Sequence, residues 1–255
     1  MDILAVMSAR FLMLTSREQE VLGLSERAAL LRYTGLSEEE LVWHRLEREP
    51  FPEIDLADWD GIILCGSRWD AGAPEETKSQ RQRDVEAALD KFYGRIVPAD
   101  FPFMGLCYGL GTLCQHLGGT ITDRYGEEIS APTFTLTPAG RADPMLEGVT
   151  ERFRAYVGHH EAVGTLPPGM EVLVGGEQAP IQMTRTGTNL YATQFHPELD
   201  LDGINLRIEV FADAGYYLPS ERPVVEARVL GVDTSAAHRI LRNFADRYRE
   251  SRHTR

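Results

Sequence analysis

A cysteine set between two glycines, where a short apolar run meets a helical pattern, constrains this chain more than any other stretch: Phe101-Pro102-Phe103-Met104-Gly105-Leu106-Cys107-Tyr108-Gly109-Leu110-Gly111. Phe101 to Leu106 reads as a buried strand and Thr112 to Leu117 as the helix that follows. The G-x-C-x-G between them reads as a nucleophile elbow. Its glycines remove side chains that would collide, so the cysteine can hold a strained backbone conformation with its sulfur exposed. Thiolate is the attacking species, and a sulfur at a helix N-terminus near histidine is expected to titrate below the free value of ~8.5. The bland alternative is a small buried hydrophobe in a glycine-rich turn. Cys65, ending an apolar strand, and Cys114, within the helix, fit that description.

Around the elbow, apolar runs alternate with longer helical patterns, as βαβ units do. Ile3 to Met7 reads as a first strand and Ser16 to Leu31 as a helix closed by Gly35. Leu41 to Leu46 reads as a strand rather than a helix opened by the capping-box pattern Ser37 to Glu40, because Pro50 and Pro52 follow so soon. Gly61 to Cys65 has the form of a buried parallel strand running into a loop at Gly66-Ser67, where α/β sheets commonly build sites. A helix is expected over Glu75 to Phe92, with Val85, Ala88, Leu89 and Phe92 toward the core.

From Gly118 onward the texture changes to short strand-like pieces, Thr133 to Thr137, Met170 to Val174, Ile181 to Thr184 and Tyr191 to Phe195. These are expected as antiparallel additions to the main sheet. Beyond Tyr217 an extended stretch is expected over Val224 to Leu230, then a helix from Ser235 with Ile240, Leu241, Phe244 and Tyr248 on one side. Arg249, Arg252 and Arg255 at its end complement the helix dipole. The expected architecture is a three-layer α/β domain over residues 1–216, with a mostly parallel central sheet, and a helical C-terminal extension over 217–255.

Charge and cysteine usage narrow the function classes. Lys and Arg number 26 against 39 Asp and Glu, a formal charge of -13, which repels nucleic-acid backbones and anionic membrane surfaces. Three cysteines without CxxC spacing point to reduced thiols rather than a disulfide framework or a metal site. With no signal-peptide pattern at Met1 to Leu14 and no apolar run near ~18 residues, a soluble cytoplasmic protein is expected.

A second motif, Tyr191-Ala192-Thr193-Gln194-Phe195-His196-Pro197-Glu198, is a strand that ends in His-Pro-Glu. Pro197 keeps the chain extended, so His196 and Glu198 tend to point the same way, and a carboxylate beside an imidazole is the base-plus-orienter arrangement of triads. Together, GLCYGLG at Gly105 to Gly111 and QFHPE at Gln194 to Glu198 resemble the class I glutamine amidotransferases, especially the glutaminase part of GMP synthase. The likeness extends less sharply over Gly61 to Asp200, with ILCGS at Ile63 to Ser67 at the oxyanion loop and VGHHEAV at Val157 to Val163 at the substrate strand.

The resemblance implies a flavodoxin-like sheet and hydrolysis of the glutamine side-chain amide. Cys107 would be the nucleophile, His196 the acid and base, Glu198 its orienter, and the backbone N–H groups of Gly66 and Tyr108 the oxyanion hole. It implies no metal and no organic cofactor. Ser67, Gly111 and His160 are the substrate-contact candidates; adjacent strand residues face opposite ways, so at most one of His159 and His160 lines the pocket, and His160 is preferred. His116 is read as a packing or capping residue. The sequence departs from the family at Gly111, usually glutamine, and at Cys65-Gly66-Ser67, usually Gly-Gly-Pro.

No P-loop or SGGxDS-like loop occurs, so a separate synthetase subunit is the expected ammonia acceptor. The competing readings are a stand-alone glutaminase or γ-glutamyl hydrolase, a non-catalytic regulatory protein on the same scaffold, and a Cys/His metal site.

Overall fold

The computed structural model describes residues 9–212, 217 and 219–249. Its first half alternates strand and helix: β1 (Phe11–Ser16), α1 (Glu20–Thr34), β2 (Leu41–Arg45), β3 (Gly61–Ser67), α2 (Gln80–Ile96), β4 (Phe103–Leu106) and α3 (Tyr108–His116). Shorter pieces follow as β5 (Thr120–Thr122), β6 (Glu127–Ser130), β7 (Thr133–Leu136), α4 (Pro138–Ala142), β8 (Arg152–Arg154), β9 (Val157–His159), β10 (Ala162–Thr165), β11 (Met170–Gly175), β12 (Met183–Thr186) and β13 (Leu190–Thr193). Helices α5 (Leu201–Val210), α6 (Arg222–Val229) and α7 (Ser235–Arg249) complete the order.

One nine-stranded sheet runs β2-β1-β3-β4-β13-β12-β11-β7-β8. Its first five strands are parallel and the rest pair antiparallel, which gives the additions expected from the sequence. The parallel part has the order of a flavodoxin-type doubly wound sheet, in which chain direction across the sheet reverses between β1 and β3. Ligands of such sheets bind beyond the carboxyl ends of the strands at that reversal.

Period-two alternation sorts the core into two layers. Phe11, Met13, Ile63, Cys65, Met104 and Leu106 face α7, which inserts Ile240, Leu241, Phe244 and Tyr248. Leu12, Leu14, Ile62 and Leu64 face α2 and α3, through Val85, Leu89, Phe92, Leu110 and Leu113. The expected C-terminal extension therefore supplies one side of the main core. Phe244 meets Phe11 edge-on, with ring centroids 6.1 Å apart.

Several expectations shift. Ile3 to Met7 lies outside the described residues; the first described strand is Phe11–Ser16, and α1 accordingly starts at Glu20. Gly35 closes α1 with φ 68, the left-handed conformation that glycine takes without a Cβ penalty. Ser37 and Glu40 do make both capping-box hydrogen bonds, but around a single turn that leads into β2. Helix α2 starts at Gln80 because Ser79 caps it, accepting from Gln82 N–H at 3.1 Å.

The extended stretch expected over Val224 to Leu230 is instead helix α6. Its valines suggest a strand, yet Pro223 sits in the first turn, where a helix needs no N–H, and the buried Val225 and Val229 fall one helical turn apart. Packing against the α5 side decides the matter, with Val225 and Val229 sharing a cluster with Ile204 and Ile208.

Truncating Phe244 to alanine removes a fully buried ring that bridges α7 and β1. The expected cost is about 3–5 kcal/mol, read as a lower urea midpoint with little change in slope.

Candidate active site

Cys107 sits where β4 turns into α3, with φ 50 and ψ -90. Only Asp100 and Cys107 hold positive φ among the described non-glycine residues, and such strain costs about 1–3 kcal/mol unless its surroundings enforce it. Here the Cys107 N–H donates to Thr193 O at 2.7 Å, while Leu110 and Gly111 donate their N–H groups to Cys107 O at 3.0 and 3.1 Å. Gly105 is sterically required, and Gly109 leaves little room for a side chain. A Cβ on Gly105 would lie 2.8 Å from the Gly109 carbonyl carbon, and one on Gly109 would lie 3.1 Å from Leu64 O.

Past the end of β13, the His196 N–H donates to Tyr156 O at 2.9 Å, which anchors the turn. His196 Nδ1 lies 2.8 Å from Glu198 Oε1, and both side chains are buried. An ionised carboxylate only accepts, so the proton belongs on Nδ1 and Nε2 is left able to take one. Arg207 Nη2 donates to the same Glu198 oxygen at 2.9 Å, and its Nη1 crowds His196 Nδ1 at 3.1 Å. From α7, His238 Nδ1 donates to Pro197 O at 2.8 Å, while its ring stacks on Tyr33 of α1.

Gly66, at the end of β3, is where these parts converge. A Cβ there would lie 2.7 Å from His196 Cε1, 3.0 Å from Arg17 Nη2 and 3.6 Å from Cys107 Cβ. The structure thus brings Cys107, His196, Glu198 and Gly66 together, with Tyr108 opening α3 directly after the cysteine.

Burial dominates the electrostatics. It pushes the Cys107 thiol up to about 12, against the opposing pull of Arg17 and Arg207. The lowered thiol expected at a helix N-terminus is therefore not found, because desolvation of the thiolate outweighs the positive groups around it. Burial likewise lowers His196 to about 4, although Glu198 works in the opposite sense. Desolvation alone would raise the Glu198 carboxyl, but His196 and Arg207 hold it below the usual carboxylate range. At neutral pH the resting pair is a thiol beside a neutral imidazole.

A cavity beside Cys107 is lined by Ser67, Gly111, His159, Glu161 and Gln194, among others. His160, preferred from the sequence, points away, half-exposed, with Nδ1 3.4 Å from Asp70 Oδ2. His159 takes the inner face, with its ring nitrogens 2.9 Å from Glu127 Oε2 and 2.9 Å from Glu161 O. The two histidines face opposite ways, and the inner one is His159, because its acceptor is the buried Glu127 on β6, which has no local sequence signal. His116 has Nδ1 2.7 Å from Asp90 Oδ1 on the outer side of α3, a surface hydrogen bond.

Sequence reasoning passed over Glu161, Gln194, Arg17 and Arg207. Glu161 accepts from the N–H groups of Ala71 and Gly72 at 2.5 and 2.8 Å, and burial followed by the charge of Asp70 raises it to about 7. Gln194 Nε2 lies 3.7 Å from Cys107 Sγ. Gln194 was visible inside the QFHPE motif; the arginines were not. No group of His, Cys, Asp and Glu among the described residues is arranged to hold a metal ion, and no described helix is long and apolar enough to cross a membrane.

The depressed His196 sets a pH dependence. Its unfolded form takes a proton from about 6.5 downward while the folded form resists to about 4. Stability is therefore complete above that window and lost as pH falls through it, by about 3 kcal/mol for a shift of this size. Unfolding free energies from urea titrations at pH 7.5 and 4.5 are expected to converge by roughly that amount in His196→Asn relative to the parent; an equal acid loss in both proteins rejects a neutral buried imidazole.

Comparison with known proteins places this geometry. The family model for glutamine amidotransferase class-I matches residues 28–206. GMP synthase [glutamine-hydrolyzing] of Agrobacterium fabrum is 33% identical over 143 residues, 54% of this chain and 24% of that protein. The enzyme of the same name from Marinobacter nauticus is 30% identical over 157 residues, 58% of this chain and 27% of its own length. The matched region thus spans about a quarter of these relatives.

Two solved structures share the fold. A glutamine amidotransferase from Thermotoga maritima superposes with a TM-score of 0.75 at 19% identity, covering 95% of this chain and 99% of that one. A glutamine amido transferase from Methylobacillus flagellatus gives 0.70 at 16%, covering 94% of each. With the family model matched over most of its length, this chain belongs to the class I glutamine amidotransferases.

Proposed function

We propose that the protein hydrolyses the side-chain amide of glutamine through a glutamyl thioester on Cys107 and passes the ammonia to a synthetase on another chain. One observation carries this reading: a strained elbow cysteine and a Glu198-oriented imidazole meet at Gly66, a position with room for no side chain. His196 Nε2 takes the thiol proton as Cys107 Sγ attacks the amide carbonyl, so a thiol held near 12 need not ionise beforehand. Backbone N–H groups of Gly66 and Tyr108 hold the oxyanion. The imidazolium then protonates the departing ammonia, water activated by His196 attacks the thioester, and glutamate leaves with the thiol restored.

The relatives support a separate acceptor. The glutamine-hydrolysing GMP synthases match this chain over about a quarter of their length, which is consistent with a glutaminase unit serving a synthetase unit. In the cavity, Ser67 and Gly111 flank the substrate, and His159 takes the place first assigned to His160.

Gly111 favours a second reading, a stand-alone γ-glutamyl hydrolase. A Cβ there would meet Ala71 Cβ at 3.3 Å and Glu161 Oε1 at 3.9 Å, so a long side chain would fill space that the glycine leaves to the substrate.

Incubation with glutamine, and with a panel of γ-glutamyl dipeptides, is expected to release ammonia or amine together with glutamate. Cys107→Ala is expected to lower turnover by roughly 10³-fold or more; equal activity in that variant rejects the mechanism. Gly111→Gln tests the second reading. If larger substrates use the space, dipeptide turnover falls about tenfold or more while glutamine turnover is kept; an equal effect on both leaves glutamine as the substrate.

A further inference from the structure

Glu198 and His196 form the end of a longer buried chain of charge. Arg17 follows β1, Glu26 lies on α1 and Arg207 on α5, and all three are buried. Arg17 Nη2 donates to Glu26 Oε1 at 2.9 Å. Arg207 Nη2 donates to the same oxygen at 3.0 Å and to Glu198 Oε1 at 2.9 Å. Two guanidinium groups and two carboxylates thus alternate and balance in charge up to the imidazole.

Stability does not account for such a set. Desolvating each ion costs several kcal/mol, and apolar replacements of buried ion networks are often neutral or stabilising. This network is also incompletely satisfied, since Arg17 Nε, Glu26 Oε2 and Glu198 Oε2 are buried with no hydrogen-bond partner. Its location is the informative part. Arg17 and Gly66 stand at the carboxyl ends of β1 and β3, the reversal point of the sheet, and Arg17 Nη2 approaches the same point beside Gly66 as His196 Cε1 and Cys107 Cβ. The charges that face Cys107 are Arg17 and Arg207 on one side of the balance and Glu161 and Glu198 on the other, with His196 neutral between them.

We propose that Arg17, anchored by Glu26 and Arg207, is a positioning residue whose guanidinium supplies the positive field beneath the oxyanion loop and favours the thiolate of Cys107. Glu26 holds together two cations that would otherwise repel, and Arg207 carries the same anchor to Glu198. The proposal rests on the reading of Cys107 as the nucleophile.

The test reads the thiol directly and needs no turnover, so it stays separable from any failure of the glutaminase reading. The rate of iodoacetamide alkylation of Cys107 is followed from pH 7 to 10, with the rate of Cys107→Ala subtracted to remove Cys65 and Cys114. In Arg17→Met/Glu26→Gln one charge of each sign is removed and the Arg207–Glu198 pair is kept. This variant is expected to react about tenfold more slowly at a fixed pH, equivalent to a thiol raised by about one unit. Arg17→Lys keeps the charge and is expected to stay within about threefold of the parent. Should the double variant not fold, Arg17→Gln, which keeps a donor to Glu26, carries the same expected slowing. A folded charge-removing variant with the parental rate overturns the proposal, and so does an Arg17→Lys rate as slow as that of the double variant.

Discussion

One backbone hydrogen bond, from the Cys107 N–H to Thr193 O at 2.7 Å, joins the two halves of the site. It extends the parallel register of β4 and β13, in which Leu106 stands opposite Thr193. Cys107 then emerges one residue past β4, and the His-Pro-Glu turn emerges three residues past β13. A slip of one residue would turn every side chain of β13 to the opposite face, sending buried Tyr191 away from its layer along with the histidine. The bond also helps to hold Cys107 at positive φ, so register, strain and the placement of the sulfur are one constraint.

Burial around the site built on that constraint acts in two directions. It keeps thiol and imidazole neutral at rest, with Cys107 near 12 and His196 near 4. It also strengthens every fixed charge nearby, because less solvent screens them. The Glu198 carboxyl stays below the usual carboxylate range in these surroundings because the His196 hydrogen bond and the Arg207 charge offset its burial.

What the sequence makes legible is what local backbone chemistry dictates. G-x-C-x-G announces the elbow because the turn crosses its own chain and tolerates no Cβ at Gly105. His-Pro-Glu announces the paired imidazole and carboxylate because two residues flanking a proline share a direction. The parallel strands and the amphipathic face of α7 follow from apolar spacing. Partnerships across distance are not legible in this way. Nothing near His159 signals Glu127, 32 positions earlier, and nothing near Glu26 signals Arg207, 181 positions later. Helix α6 was misread because a run of valines carries strand propensity, while its packing against α5 is tertiary. The N-terminal segment showed little signature, yet Arg17 and Glu26 lie there and reach the site.

The hydrogen bond from His238 to Pro197 O bears on where this protein can be cut. The family match ends at residue 206, a natural place to trim a clone. That boundary falls one residue before Arg207 and discards all of α7. A fragment so defined would keep every residue of the two recognisable motifs while losing the cation that clamps Glu198, the ring that braces the His-Pro-Glu turn and one wall of the core. Motif boundaries and folding boundaries differ in this chain, and an expression fragment needs to follow the latter.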